Sequence, residues 1–384
     1  MLVSQPQFPS LVLDEIPEQI TDRDEAIFWG INNAALSPEQ EKRLCSPDKI
    51  FPGQREVLAV HWHPEFVPIH LAIHRMQAMF PNREQELVIP TQHNVLLVHA
   101  GYCGVEVDCF SRRFNQKVQL LLHFASNKVD QAGILQSMLE HTRQYRATQL
   151  LDIIRSFTQP VQDRLDLAAR QTGADQELIR FIALHVRKID ALLHDHIQEL
   201  PLDMVKNKMV RNFFHALRPL YGHQLIDRAL NFLQAVKQTV KRDFPLQYFF
   251  RTSEIIEEAR SLGAGIVVPH PEQFWPILLA DYDVDGYEVW NPQSQRYTDF
   301  LIGVVQDKNR QRPASEPPLL IFMGDDTHMG EKVKDAQEQD LDKAEREVGY
   351  QPAWDEWAVR NKLFQNSISR DMVISEYKGR LQAR

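Results

Sequence analysis

The chain has 384 residues, enough for one large domain or two ordinary ones, and 43% of them are hydrophobic and 25% charged, a globular balance that can bury a sizeable core. Its formal net charge of −9 excludes a surface that attracts nucleic acid over its whole area, although a local basic pocket for a phosphate remains compatible with it.

Three cysteines, Cys45, Cys103 and Cys109, are too few and too odd for a disulfide framework and fit a reducing compartment. No C-x-x-C pair is present, which argues against a thiolate zinc site. The start, MLVSQPQFPSLVLDEIPEQ, has no basic opening and no sustained apolar stretch, so no secretory signal is expected. No long uncharged apolar run suggests a transmembrane helix, and the expected location is the cytoplasm.

In chain order, residues 1–50 are rich in Pro, Asp and Glu and read as an N-terminal arm or a lead-in helix. Short apolar, β-branched runs then end in a histidine or surround an acid: Val57–Val60 before His61, Leu87–Ile89 before His93, Val105–Val107 around Glu106, and Val118–Leu122 before His123. Bounded by Pro and Gly, they read as buried strands. Phe66–Phe80 and Thr252–Leu262 carry helical spacing, the second stopping at Gly263. From 130 to 249 strand signals are scarce, and Ile134–Leu151, Glu177–His196 and Gly222–Val240 read as long helices. We expect this region to be a helical insertion that caps the functional face. The strand pattern resumes at Ile266–Val268 before His270, Tyr287–Trp290 around Glu288, and Leu319–Met323 before Asp325, Asp326 and His328. Asp307–Pro318 reads as a polar loop, and the tail from Lys332 as charged and helical. Alternating strands and helices, at 51–129 and 250–384, predict an α/β barrel or a related parallel sheet.

The strand ends carry the chemistry. Alternate residues of a strand share a face, so His61 and His63 point the same way, where two imidazoles can grip one metal or two adjacent ones. Glu106 lies between valines, where a lone acid is costly to ionise and needs a cation beside it. A single polar residue at a strand end is more often just hydrogen-bonded; five or six strands ending this way point to a shared metal site. No cysteine sits in a nucleophile-like pattern with a histidine. His194-Asp-His196 cannot put both rings on one helix face, and Gly263-Ala-Gly265 precedes a strand, not the helix a dinucleotide fingerprint requires.

These segments resemble the PHP (polymerase and histidinol phosphatase) superfamily. His61-Trp-His63 is similar to its H-x-H motif and Thr91-Gln-His-Asn94 to T-D-H-N. Gly104-Val-Glu106 resembles the segment that supplies a bridging carboxylate, and His123 falls where a further ligand is expected. The stretch from Ala259 to Pro271, Gly286-Tyr-Glu-Val-Trp-Asn291 and Gly324-Asp-Asp-Thr-His328 resemble the later motifs, in collinear order. Ala59 and Gln92 stand where the family usually has acids, and Pro64-Glu-Phe-Val-Pro68 replaces its S-D-G.

The resemblance implies a distorted (β/α)7, TIM-like barrel and roughly two or three divalent ions, Zn, Mn or Fe. It implies phosphoester hydrolysis by metal-bound water held by His61, His63, Glu106 and Asp326. The implied ligands are His61, His63, His93, Glu106, His123, His270, Asp326 and His328. His70 and His74, one helical turn apart, are candidate replacements, and Arg112, Arg113, Arg143 and Arg146 are candidates for phosphate. The expected partner is a small-molecule phosphate ester, with no membrane, and the net charge does not indicate nucleic acid. Two rivals stay open: an amidohydrolase-type reaction on a C–N bond, and a non-catalytic metal-binding module.

Overall fold

The computed structural model describes residues 16–335 and 339–383; the first part of the expected arm lies outside the described residues. The chain forms two compact units, Met1–Ala34 with Gln144–Pro245, and Ala35–Arg143 with Leu246–Arg384.

The first unit is helical. Its helix Asp22–Asn32 starts with a capping box, in which Thr21 accepts from the Asp24 N–H and the Asp24 carboxylate accepts from the Thr21 N–H. Helices Tyr145–Thr158, Gln176–His196 and His223–Asp243 turn apolar faces inward around Phe28, Phe181, Phe213, Phe214 and Phe232. The buried Lys188 ammonium pairs with the buried Asp24 carboxylate at 2.8 Å. The single helix expected over Ile134–Leu151 is instead two, Gly133–Arg143 and Tyr145–Thr158, with the break at Gln144.

The second unit is mixed α/β. Its strands in chain order are β1 (Glu56–Ala59), β2 (Trp62–His63), β3 (Gln85–Val88), β4 (Leu97–His99), β5 (Tyr102–Ser111), β6 (Gln116–Ala125), β7 (Gly265–Val268), β8 (Gly286–Trp290), β9 (Leu320–Met323) and β10 (Thr327–His328). β4 to β9 form one sheet in that order, β1 pairs parallel with β3, and β2 pairs parallel with β10. Strands β7, β8 and β9 are parallel and buried throughout, which is why they read as unbroken apolar runs.

The expected parallel alternation fails from β4 to β7, where neighbours are antiparallel. The connections explain two of these pairings. Only Ala100 and Gly101 join β4 to β5, both with positive φ (47° and 84°), the conformation a tight primed hairpin turn demands. Residues 112–115 join β5 to β6, far too few for a parallel crossover. A second correction concerns Asp307–Pro318: helix Thr298–Gln311 continues into its first half.

The backbone of residues 89–91, past β3, lies hard against β5. A Cβ on Gly104 would overlap the Pro90 carbonyl oxygen and sit 2.6 Å from Ile89 Cγ2. Gly104→Ala is therefore expected to push these segments apart and destabilise the unit by roughly 1–3 kcal/mol. Urea unfolding checks this, and an unchanged midpoint would contradict it.

Candidate metal centre

Prolines and turns end the strands; His61, His93, His270 and Asp326 sit just past such ends, His63 and His328 close the short strands β2 and β10, and Glu106 lies within β5. The chain leaving β1 carries His61 into β2, which ends at His63 and Pro64. Past β3, Thr91 donates its N–H to the Trp62 carbonyl at 2.8 Å, and Asn94 donates its N–H to the Glu106 carbonyl at 2.7 Å. This lays His93 beside Glu106 as a parallel bridge. Asn94 also exchanges two hydrogen bonds with buried Asp108. His270 follows β7, Asp326 lies between β9 and β10, and His328 ends β10. The backbone is strained here. Of the seven non-glycine residues with positive φ among the described residues, four are candidate ligands or lie within two positions of one: Glu65, Asn94, His270 and Asp326.

Seven of the eight expected ligands fall into three groups able to hold a metal ion: His61, Glu106 and His270; His61, His63 and Asp326; and His63, His93 and His328. His61 Nε2 stands 3.9 Å from Glu106 Oε1 and 3.6 Å from Asp326 Oδ1. His63 Nε2 stands 3.6 Å from Glu106 Oε2 and 3.4 Å from Asp326 Oδ1. His270 Nε2 is 3.6 Å from Glu106 Oε1, and His93 Nδ1 touches Glu106 Oε2. Apart from the His93 contact, these separations exceed good hydrogen bonds. They lie close to the roughly 3.3 Å between two donors that share one tetrahedral ion with bonds of about 2.0–2.1 Å. Among the described residues no hydrogen bond reaches His61 Nε2 or His63 Nε2, although both are buried. Buried, unbonded donors facing carboxylates suit a divalent ion.

Electrostatics fits the same use for Glu106, Asp326 and His63. Burial opposes ionisation of Glu106, but His93, His270 and His63 hold its carboxyl well below the ordinary range. Asp326, also buried, is held well below it by His328, His63 and His61. Burial, with His93 and His328 nearby, pushes His63 down to about 3, which keeps it neutral and ready to donate. Burial alone would lower His61 too, but Glu288, Asp326 and Glu106 raise it to about 10.

Glu288 on β8 holds two of the candidate ligands. Its Oε1 lies 2.7 Å from His61 Nδ1, which turns Nε2 into the cluster, and its Oε2 accepts the His270 N–H at 3.0 Å. A Cβ on Gly324 would overlap this carboxylate, so the glycine leaves it room. Carboxylates behind ligating histidines set tautomer and ring orientation, so Glu288→Gln is expected to weaken metal binding about 10- to 100-fold. Competition against a chromophoric chelator measures this; affinity equal to wild type would remove Glu288 from the centre.

His123 is the ligand the structure does not bring in. It stands opposite Gly265, the first residue of β7, whereas the cluster lies past the far end of that strand. Its Nδ1 meets the Tyr377 hydroxyl at 2.8 Å and its Nε2 the Val60 carbonyl at 2.9 Å, so both nitrogens are engaged. Burial pushes it down to about 3 against a usual 6.5. The fold thus refuses a proton that the unfolded chain accepts. Its contribution to stability is intact above about pH 6.5 and is lost as the pH falls toward 3. In metal-free protein, His123→Gln is expected to shrink the stability lost between pH 6.5 and 4 by on the order of 3 kcal/mol. Urea unfolding across that range checks it; a loss as steep as wild type would contradict it.

The other candidates lie elsewhere. His70 and His74 are exposed on helix Ile69–Met79, outside the three groups. Arg112 and Arg113 are exposed in the β5–β6 turn, Arg143 ends helix Gly133–Arg143, and Arg146 lies in helix Tyr145–Thr158. Among the described residues, the arginine that pairs with the cluster is Arg346, on Asp326. Gln92, in the place of a family acid, accepts the Glu65 N–H at 3.2 Å, and Glu65 Oε1 stands 3.5 Å from His328 Nδ1. Asp325 accepts the Gly349 N–H at 2.8 Å and the Thr327 N–H at 3.3 Å, and burial pushes it up to about 7. Cys103 and Cys109 are buried thiols pushed up to about 12 by that burial, far from a reactive thiolate.

Among the described residues no helix is long and apolar enough to cross a membrane. No family profile matches the chain, and no curated protein matches it in sequence. Among solved structures, it is similar to a candidate metal-dependent phosphoesterase from Bifidobacterium adolescentis, at 16% identity and a TM-score of 0.42, over 82% of this chain and 97% of that one.

Proposed function

We propose that the protein is a metal-dependent phosphoesterase of the PHP type, which hydrolyses a small-molecule phosphate ester with at least two divalent ions, Zn, Mn or Fe. The observation that carries this reading is the convergence of five histidines and two acids, from strands and strand ends far apart in sequence, into three overlapping donor groups. Divalent ions held there would supply Lewis acidity to a phosphoryl oxygen and bring the pKa of water toward neutrality. The chain's own part is to bind and orient. Glu106 contacts His61, His63, His93 and His270 and is the natural carboxylate to be shared between ions. Asp326 joins His61 and His63. His93 and His328 are the most exposed of the histidine ligands, at 16% and 15%, and mark the side from which substrate would enter.

We also infer that the strands make a distorted barrel. Supporting this, His93 bridges β3's continuation to β5, and β10 carries β9's continuation onto β2. The test of function is turnover of p-nitrophenyl phosphate by the purified protein with added Mn²⁺. Metal-dependent release of phosphate supports the reading. Metal binding without turnover of any phosphomonoester in a panel of nucleotides and sugar phosphates would overturn it in favour of a C–N hydrolase or a binding module.

A further inference from the structure

We propose that Arg346, which lies beyond the last motif, is a positioning residue of the centre: it clamps Asp326 so that one carboxylate oxygen alone is offered to metal. This rests on the metal-centre reading above.

The two oxygens of Asp326 keep different company. Oδ1 stands 3.6, 3.4 and 3.5 Å from Nε2 of His61, His63 and His328. Oδ2 accepts from Arg346 Nη1 at 2.7 Å and from Gln293 Nε2 at 2.6 Å. The same Arg346 nitrogen donates to the Asp326 carbonyl oxygen at 3.1 Å. One guanidinium thus holds both the side chain and the main chain of a residue whose φ is +44°, in the left-handed region. With Oδ2 committed, the carboxylate cannot chelate one ion through both oxygens. A hydrogen-bonded, buried arginine suits this task because its charge is permanent and its fork is planar. Gln293 is exposed and uncharged, and so is the weaker half of the clamp.

The segment carrying Arg346 is itself pinned. Arg346 Nε donates to the Asp342 carbonyl at 3.3 Å. Next in sequence, Glu347 accepts from Arg75 Nε at 2.8 Å and Nη2 at 2.7 Å, and from Lys332 Nζ at 2.6 Å. The Gly349 N–H then reaches Asp325. Both adjacent acids after β9 are therefore held by one short stretch of chain, 346–349, fastened between them by a buried ionic cluster.

The test is the affinity of the full-length protein for Mn²⁺ alone, by competition with a chromophoric chelator, for wild type, Arg346→Lys, Arg346→Gln and Arg346→Ala. Arg346→Gln is expected to bind about 10- to 100-fold more weakly. Arg346→Lys, which keeps a cation but not the planar fork, should fall between. Added guanidinium ion should restore affinity to Arg346→Ala, which a purely structural role would not permit. Arg346→Gln and Arg346→Lys both binding within about twofold of wild type would overturn the clamp while leaving the centre intact. A wild-type protein that binds no Mn²⁺ would instead overturn the metal-centre reading, and the clamp with it.

Discussion

Asp326→Asn is expected to cut turnover by at least roughly a hundredfold and to weaken metal binding, while Asp325→Asn costs clearly less. The two acids are neighbours after the same strand, yet they face different groups. Asp326 offers Oδ1 to His61, His63 and His328, and amidation there removes the negative charge that would hold a cation. Asp325 bonds instead to the N–H groups of Gly349 and Thr327, and burial already pushes it up to about 7, so a neutral amide departs less from its native state. Steady-state kinetics of both variants, with metal affinity measured in parallel, separates the roles. If Asp325→Asn proved the more damaging change, the assignment of Asp326 would fail.

The second large effect is expected on metal removal. Without ions, the carboxylates of Glu106 and Asp326 and five buried or nearly buried imidazoles are left crowded against one another. An ion present at about a thousand times its dissociation constant stabilises the folded state by about 4 kcal/mol. For a domain of this size that corresponds to a fall of roughly 10 °C in Tm on chelation, together with loss of activity. Re-addition of Mn²⁺ or Zn²⁺ should restore both. Calorimetric scans of chelated and reloaded protein check this, and indistinguishable Tm values would contradict it.

Much of this was legible in the sequence, for particular reasons. Apolar runs such as Ile266–Val268 mark β7 because it is buried on both faces, and the i, i+2 spacing of His61 and His63 puts both rings into one cluster. Position past a strand end was informative for His93, His270, Asp326 and His328. It did not lead to the cluster for His123, because β6 runs antiparallel to β7, so its C-terminal end lies beside the start of β7, and both ring nitrogens are engaged by Tyr377 and Val60. The hairpin turn at Ala100-Gly101 carries only one glycine, so the reversal of direction left little signal. Residues that work by holding others were the hardest to see. Glu288 was visible within a motif but not as the partner of His61, and Arg346 sits in a charged stretch whose spacing says nothing about what it reaches. Such contacts are set by tertiary packing, which local pattern does not encode.

The most direct test of the central claim is elemental analysis of the purified chain after reconstitution with Mn²⁺ or Zn²⁺ and removal of excess ion. The overlapping donor groups around Glu106 and Asp326 lead us to expect at least two divalent ions per chain, falling when either acid is replaced by its amide. Less than about half an ion per chain after reconstitution would contradict the account.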